Sequence, residues 1–69
     1  MKLMINEVMN VGDLVYLPSE VLLRGCEGFI KTKKPINVLC VGTKNIEIKV
    51  LYNGSSWWVN KYKAYKTRE

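Results

Sequence analysis

The sequence predicts an all-β fold in which about five short antiparallel strands form a small barrel. Residues 36–41 and 46–52 are rich in β-branched side chains, which favour strands. Asn53-Gly54 follows the second run directly, and this dipeptide is the strongest short-range signal for a hairpin. The stretch 19–24 has room for one turn of helix but is too short to be stable alone. Strands therefore dominate the predicted fold.

The N-terminal half predicts one strand followed by a long loop. Residues 11–18 indicate a strand that ends at Pro18, because proline lacks the N–H that a central strand needs. Residues 19–35 contain two glycines and a lysine-rich end without a clear period, which predicts a long loop with room for a short strand around Phe29-Ile30. Residues 1–10 precede these elements as a lead-in or edge strand, with Leu3, Ile5 and Val8 as its candidate strand residues.

The C-terminal half predicts a meander of consecutive strands. Residues 42–45 form its first turn, and Asn53-Gly54 forms the next as a two-residue loop. Such a loop fixes the strand register, and the predicted pairs are Tyr52 with Ser55, Leu51 with Ser56, Val50 with Trp57, Lys49 with Trp58, Ile48 with Val59, and Glu47 with Asn60. This register places Trp57 on the core face together with Ile46. It places Trp58 on the outer face beside Lys49.

Length and cysteine content indicate one small domain without a disulfide framework. A chain of 69 residues has room for one core, so residues 11–69 are predicted to form a single domain after the lead-in. Small disulfide scaffolds usually contain more than two cysteines. Cys26 and Cys40 are therefore expected to be reduced, unless they lie on neighbouring strands with bridging geometry. No apolar run approaches the ~18 residues that cross a bilayer, which favours a cytoplasmic location.

The order of these elements is similar to that of a known barrel class. A strand with Gly12-Asp13-Leu14-Val15 precedes the long loop and the meander, and Trp57-Trp58-Val59 then runs into Asn60-Lys61-Tyr62. Over residues 11–66 this pattern resembles the Src-homology-3-like (SH3-like) barrel. The resemblance implies a short helical turn near residues 60–62, for which Asn60 is a favourable start. The Lys-, Asn- and Ile-rich composition also resembles that of short, uncharacterised bacteriophage proteins of this class, which implies a location in the host cytoplasm.

The sequence departs from peptide-binding Src-homology-3 domains at three places. Those domains resemble one another in an Ala-Leu-Tyr-Asp-Tyr-type opening, an acidic long loop and a proline before the helical turn. Here the opening is Val11-Gly12-Asp13-Leu14-Val15-Tyr16, the loop ends in the basic run 31–34, and Asn60 replaces the proline. The chain is therefore not predicted to bind polyproline, and the barrel itself does not specify a function.

The residues that perform most enzymatic chemistry are absent or isolated. Histidine, the commonest general base and metal ligand, does not occur. Cys26 and Cys40 lack the paired spacing of a zinc site, and no obvious base would activate Cys26 as a nucleophile. There is no glycine-rich phosphate loop, and the six carboxylates are scattered singly. The sequence predicts a binding module rather than an enzyme, with no metal, cofactor, small-molecule substrate or membrane partner.

Charge and aromatic content favour nucleic acid as the partner. Eleven basic residues against six acidic ones give a net charge of +5, which favours anionic ligands. The basic residues form two groups, Lys31, Lys33 and Lys34 in the loop and Lys61, Lys63, Lys66 and Arg68 near the C-terminus. Single-stranded RNA or DNA binds to such lysines when aromatic rings lie between them. The candidate nucleic-acid site comprises Lys31, Lys33, Lys34, Trp58, Lys61, Tyr62, Lys63 and Tyr65. The alternative is that the lysines are only solvated and the tyrosines pack on the core.

A protein partner is the second hypothesis. Lys49, Leu51 and Trp58, with Val38 or Cys40 beside them, would form an apolar patch rimmed by charge on the outer face of the sheet, as protein interfaces do. A small phage protein could bind and redirect a host protein through this patch, or form a homodimer through an edge strand. The structural alternative is that residues 1–8 fold over the same face and cover it.

Overall fold

The chain forms one antiparallel β-sheet in a computed structural model that describes residues 3–5 and 9–68. Its strands are β1 (Leu3–Ile5), β2 (Leu14–Leu17), β3 (Leu22–Gly25), β4 (Gly28–Lys31), β5 (Ile36–Lys44), β6 (Glu47–Tyr52), β7 (Ser55–Asn60) and β8 (Tyr65–Arg68). A 3-10 helix, Lys61–Lys63, precedes β8. The predicted all-β class is confirmed. No helix in the described part of the chain is long and apolar enough to cross a membrane.

The sheet is open and has more strands than the predicted five-stranded barrel. The strand order is β1-β8-β2-β5-β6-β7-β3-β4, and within the described ranges β1 and β4 do not pair with each other. Strand β1 comes from the predicted lead-in and pairs with β8 along the edge. Residues 6–8, which include the candidate strand residue Val8, lie outside the described residues.

The segment 19–35, predicted as a long loop, contains the hairpin of β3 and β4. Val21 and Leu23 are buried while their neighbours Leu22 and Arg24 are exposed, which is the alternation of a half-buried strand. The buried Thr32 fixes the base of the hairpin. Its hydroxyl donates to the Pro18 carbonyl at 2.7 Å and accepts from the Val21 N–H at 2.9 Å. The short strand expected around Phe29-Ile30 is confirmed as β4. The rest of the loop prediction was wrong, because β3 is only four residues long and too short to give a clear period.

The hairpin of β6 and β7 has the predicted register. All six predicted cross-strand pairs are present, from Tyr52 opposite Ser55 to Glu47 opposite Asn60. The two turn residues have positive φ, 58° at Asn53 and 79° at Gly54, as a type I′ turn requires. Trp57 is half-buried against the core, and its indole N–H donates to the Tyr52 carbonyl at 3.1 Å. The local turn chemistry therefore determines both the register and the opposite faces of the two tryptophans.

The first turn of the meander lies later in the chain than predicted. Strand β5 continues through residues 42–44, and the turn is formed by Asn45 and Ile46. A register shift between Cys40 and Gly42 marks a β-bulge that absorbs one extra residue. Ile46, predicted on the core face, is exposed because it lies in this turn.

The core lies on the inner face of the bent sheet. Its largest fully buried side chains come from five strands and are Val15, Leu17, Leu23, Cys40, Val50 and Val59. Cys40 and Cys26 are both free thiols, the first buried and the second exposed, so the described residues contain no disulfide between them. Val38 is also buried. The proposal that Val38 or Cys40 borders an outer patch is wrong, because both side chains point inward from β5.

The helical turn is confirmed at Lys61–Lys63. Asn60 caps it, since its side-chain oxygen accepts a hydrogen bond from the Tyr62 N–H at 2.8 Å. The turn redirects the chain so that β8 pairs with β2. Tyr65 then lies beside Tyr16, with 6.5 Å between the ring centroids. This turn brings the C-terminal basic and aromatic residues close to β7.

Candidate nucleic-acid interface

Trp58 is the centre of the candidate interface. It lies on the outer face of β7, opposite Lys49 of β6 on one side and Arg24 of β3 on the other. Directly opposed side chains on neighbouring strands start about 5 Å apart, so the long Lys49 side chain reaches the indole. The Lys49 ammonium is 5.4 Å from the ring centroid. The predicted pairing of Lys49 with Trp58 on this face is confirmed.

A second lysine, Lys44, lies over the same indole ring. Its ammonium is 5.6 Å from the centroid, and Lys44 is opposite Glu47 at the end of β5. The bulge after Cys40 explains this position, because one extra residue moves every later side chain of the strand to the opposite face. Sequence reasoning missed Lys44 because it assigned residues 42–45 to a turn.

The acidic group closest to these lysines is held by an arginine. Arg24 donates two hydrogen bonds to the Glu47 carboxylate, at 2.9 and 3.0 Å, which is the bidentate geometry that such pairs favour. Lys44, Lys49 and Lys63 take part in none of the ion pairs found among the described residues. Their charges are therefore available to a ligand. Glu47 lies opposite Lys44, but its carboxylate is bonded to Arg24.

A groove with a volume of about 530 Å³ runs from Trp58 towards the 3-10 helix and β8. Leu22 and Phe29 of the β3–β4 hairpin form one wall, and Lys63 and Tyr65 form the other. Phe29 is 63% exposed. The groove thus combines aromatic rings with Lys63 and Arg24, and its lining also includes the carboxylates Glu20 and Glu47. Sequence reasoning allowed a short strand at Phe29 but missed its place in the groove, which depends on the long-range pairing of β3 with β7.

The structure brings some of the predicted site residues together and separates others. Trp58, Lys63 and Tyr65 line the same groove. Lys61 and Lys44 share a hollow on the adjacent surface. Tyr62 is exposed beside Lys61, whose ammonium is 5.3 Å from the Tyr62 ring centroid. We call the surface formed by Lys44, Lys49, Trp58, Lys61 and Lys63 the Trp58 surface.

The loop lysines do not join this surface. Lys31, Lys33 and Lys34 line a different hollow, together with Ile36 and Tyr52. Lys31 also faces a carboxylate, since its ammonium is 4.0 Å from Glu20. The expected convergence of the two basic groups is therefore not seen, because β4 carries the first group to the edge of the sheet.

The alternative protein interface contains a row of leucines instead of the predicted Val38 or Cys40. Leu14, Leu39 and Leu51 are direct neighbours on β2, β5 and β6, and their exposed fractions are 50%, 42% and 46%. The described part of the lead-in, β1, extends the sheet beside β8. The row is thus open to solvent among the described residues.

No protein family, curated protein or solved structure matches this chain. The chemistry of the Trp58 surface is accordingly the basis for a functional assignment.

Proposed function

We propose that this chain is a non-enzymatic module that binds single-stranded RNA or DNA on the Trp58 surface. The observation that supports the proposal is the placement of two lysines over one indole, without a carboxylate partner for either among the described residues. Single-stranded nucleic acid binds where bases stack on aromatic rings and lysines follow the phosphates. On the Trp58 surface, the Lys44 and Lys49 ammonium groups lie 5.6 and 5.4 Å from the centroid of the indole ring.

A base is expected to replace a lysine on the face of the indole ring, because base stacking is stronger than the cation–π contact. A cation–π contact at an exposed site contributes about 0.5–1 kcal/mol, whereas a base stacked on an aromatic side chain contributes about 1–3 kcal/mol. A base can therefore displace a lysine from the indole face. The displaced ammonium stays close enough to contact the phosphate of the same nucleotide.

The fold can carry the proposed binding surface but does not by itself specify nucleic-acid binding. The structure offers an open antiparallel sheet with a 3-10 helix before its last strand, and the Src-homology-3-like resemblance stays a prediction. Barrels of that class serve many functions. The resemblance to phage proteins extends the proposal to nucleic acid in the host cytoplasm.

The leucine row favours a second candidate, a host protein bound on the outer sheet face. Three half-exposed leucines expose a patch on the order of a few hundred Å², which is the size of the largest patch on an ordinary monomer. A standard protein interface needs about 800 Å² from each partner. The row alone is too small for such an interface, and this candidate ranks second.

The test is a fluorescence titration of the Trp57→Phe variant, which leaves Trp58 as the only indole. Oligouridine and oligothymidine are added at about 50 mM and 200 mM salt, where electrostatic binding differs strongly. We expect quenching at low salt that weakens sharply at high salt, because counterion release drives the binding. Lys33→Gln/Lys34→Gln, which removes two positive charges outside the Trp58 surface, is the control and is expected to bind the oligonucleotides normally.

No quenching at low salt with micromolar oligonucleotide would contradict the proposal. So would equal quenching at both salt concentrations. In either case the leucine row becomes the leading site, and a Leu39→Ser/Leu51→Ser variant tests it by loss of a host-protein complex.

A further inference from the structure

Strand β4 forms an open edge of the sheet. It pairs with β3 alone among the described residues, and all four of its residues are exposed. Phe29 is 63% exposed and Ile30 is 36% exposed. An edge strand with unpaired backbone groups can pair with a further extended chain. The unpaired edge lies on the side of β4 away from β3, while the Phe29 side chain lines the groove beside Trp58 on the face of the sheet.

Two residues of β4 direct their backbone groups outward. In an antiparallel pair, residues that exchange hydrogen bonds alternate with residues that do not. Thr32 and Val21 are bonded at the base of the hairpin, with the Thr32 N–H donating to the Val21 carbonyl at 2.9 Å. The alternation makes Ile30 the next bonded residue of β4. The N–H and C=O groups of Phe29 and Lys31 therefore point away from β3.

The charge at this edge selects the kind of chain that can pair with it. Lys31 lies in the strand, and Lys33 and Lys34 follow directly. A second copy paired in parallel along β4 would bring two such lysine groups together, which opposes that pairing, whereas an antiparallel copy would place them at opposite ends of the edge. A strand that carries carboxylates is attracted instead. We propose that β4 binds an acidic, extended peptide segment of a partner protein as an added antiparallel or parallel strand.

The two faces of β4 specify the side chains of that segment. Ile30 lies on one face, and Phe29 and Lys31 lie on the other, because successive side chains of a strand alternate. A carboxylate opposite Lys31 forms an ion pair, while an apolar side chain opposite Ile30 extends its packing. The partner segment is thus expected to alternate acidic and apolar residues.

The test uses a seven-residue peptide of alternating valine and glutamate, added to the full chain. Backbone amide hydrogen exchange is followed residue by residue. We expect the Phe29 and Lys31 amides to become protected by at least tenfold, while the Ile30 amide, already bonded to β3, changes little. A peptide N-methylated at the residues whose N–H groups face β4 is expected to lose binding. A peptide N-methylated at the alternate residues, whose N–H groups point away from β4, is expected to retain it.

Variants of the chain separate strand addition from simple charge attraction. Lys31→Glu is expected to weaken peptide binding by at least tenfold, and Lys44→Glu, which makes the same charge change on the Trp58 surface, to leave it unchanged. Oligonucleotide is expected not to protect the Phe29 amide. Absence of binding at millimolar peptide overturns the proposal, and so does binding that leaves the Phe29 and Lys31 amides unprotected.

Discussion

Trp58 acquires its two lysine neighbours for different physical reasons. Lys49 is the direct cross-strand partner that the two-residue turn Asn53-Gly54 dictates, and sequence spacing alone predicts it. Lys44 reaches the same ring because the bulge in β5 reverses the faces of the residues that follow it. Bulges have only a weak sequence signal, here a single glycine, Gly42, within a strand-like run. The first contact was therefore predictable from sequence and the second was not.

Cys40 gives the chain a pH dependence at the residue scale. Burial raises the pKa of its thiol above the usual 9.0, and the Asp13 carboxylate acts in the same direction, whereas hydrogen bonding with the Gly42 backbone opposes the shift. In the unfolded chain the thiol ionises at its ordinary pKa. The stabilisation of the folded state is therefore complete below about pH 9 and is lost as the pH rises further.

The expected result is that alkaline pH destabilises the chain through Cys40. The unfolding free energy of the wild type falls above about pH 9 more steeply than that of Cys40→Ala, with a difference of at most about 1.4 kcal/mol per pH unit. Urea unfolding across this pH range measures it. Cys26→Ala, which removes the exposed thiol, serves as control and keeps the wild-type slope. Identical slopes in wild type and Cys40→Ala contradict the account.

At the scale of elements, the two short hairpins differ in how much of their structure the sequence reveals. The β6–β7 hairpin has six-residue strands and an Asn-Gly turn, so its position, register and faces are all predictable. The β3–β4 hairpin has a Cys26-Glu27 turn and four-residue strands, which resemble a loop in sequence. Its stability depends on tertiary contacts, notably buried Leu23 and Thr32, that no local pattern reveals.

Contact between Gly25 of β3 and Trp57 of β7 joins these hairpins. A Cβ atom at Gly25 would lie 2.6 Å from the Trp57 ring. Gly25→Ala is therefore expected to destabilise the chain by about 1–3 kcal/mol, the usual effect of overpacking. Urea unfolding measures the change.

A double-mutant cycle identifies the cause of that destabilisation. Trp57→Leu removes the ring, so Gly25→Ala in that background is expected to have an effect smaller by at least about 1 kcal/mol, since residues in contact are not additive. Equal effects in both backgrounds would show that the ring contact is not the cause. Ser56→Ala, an exposed change on the same strand, is expected to be nearly neutral.

At the scale of the whole molecule, the sequence reveals the excess of positive charge but not its arrangement. The net charge of +5 is read directly from composition. Its division into the Trp58 surface and the hollow of Lys33 and Lys34 depends on where β4 lies in the sheet, which is a consequence of long-range pairing. The predicted aromatic residues Trp58 and Tyr65 do share a groove, because the capped turn at Asn60 returns the chain towards β2.

The most direct measurement of the central claim is the salt dependence of oligothymidine binding, compared between the wild type and Lys44→Gln/Lys49→Gln. Each lysine that contacts a phosphate of a single strand contributes about 0.7 to the slope of log affinity against log salt concentration. The account predicts that the double variant loses about 1.4 from this slope, whereas Lys33→Gln/Lys34→Gln keeps the wild-type value. A slope that is unchanged in Lys44→Gln/Lys49→Gln, or that falls equally in both variants, would contradict the assignment of the Trp58 surface as the binding site.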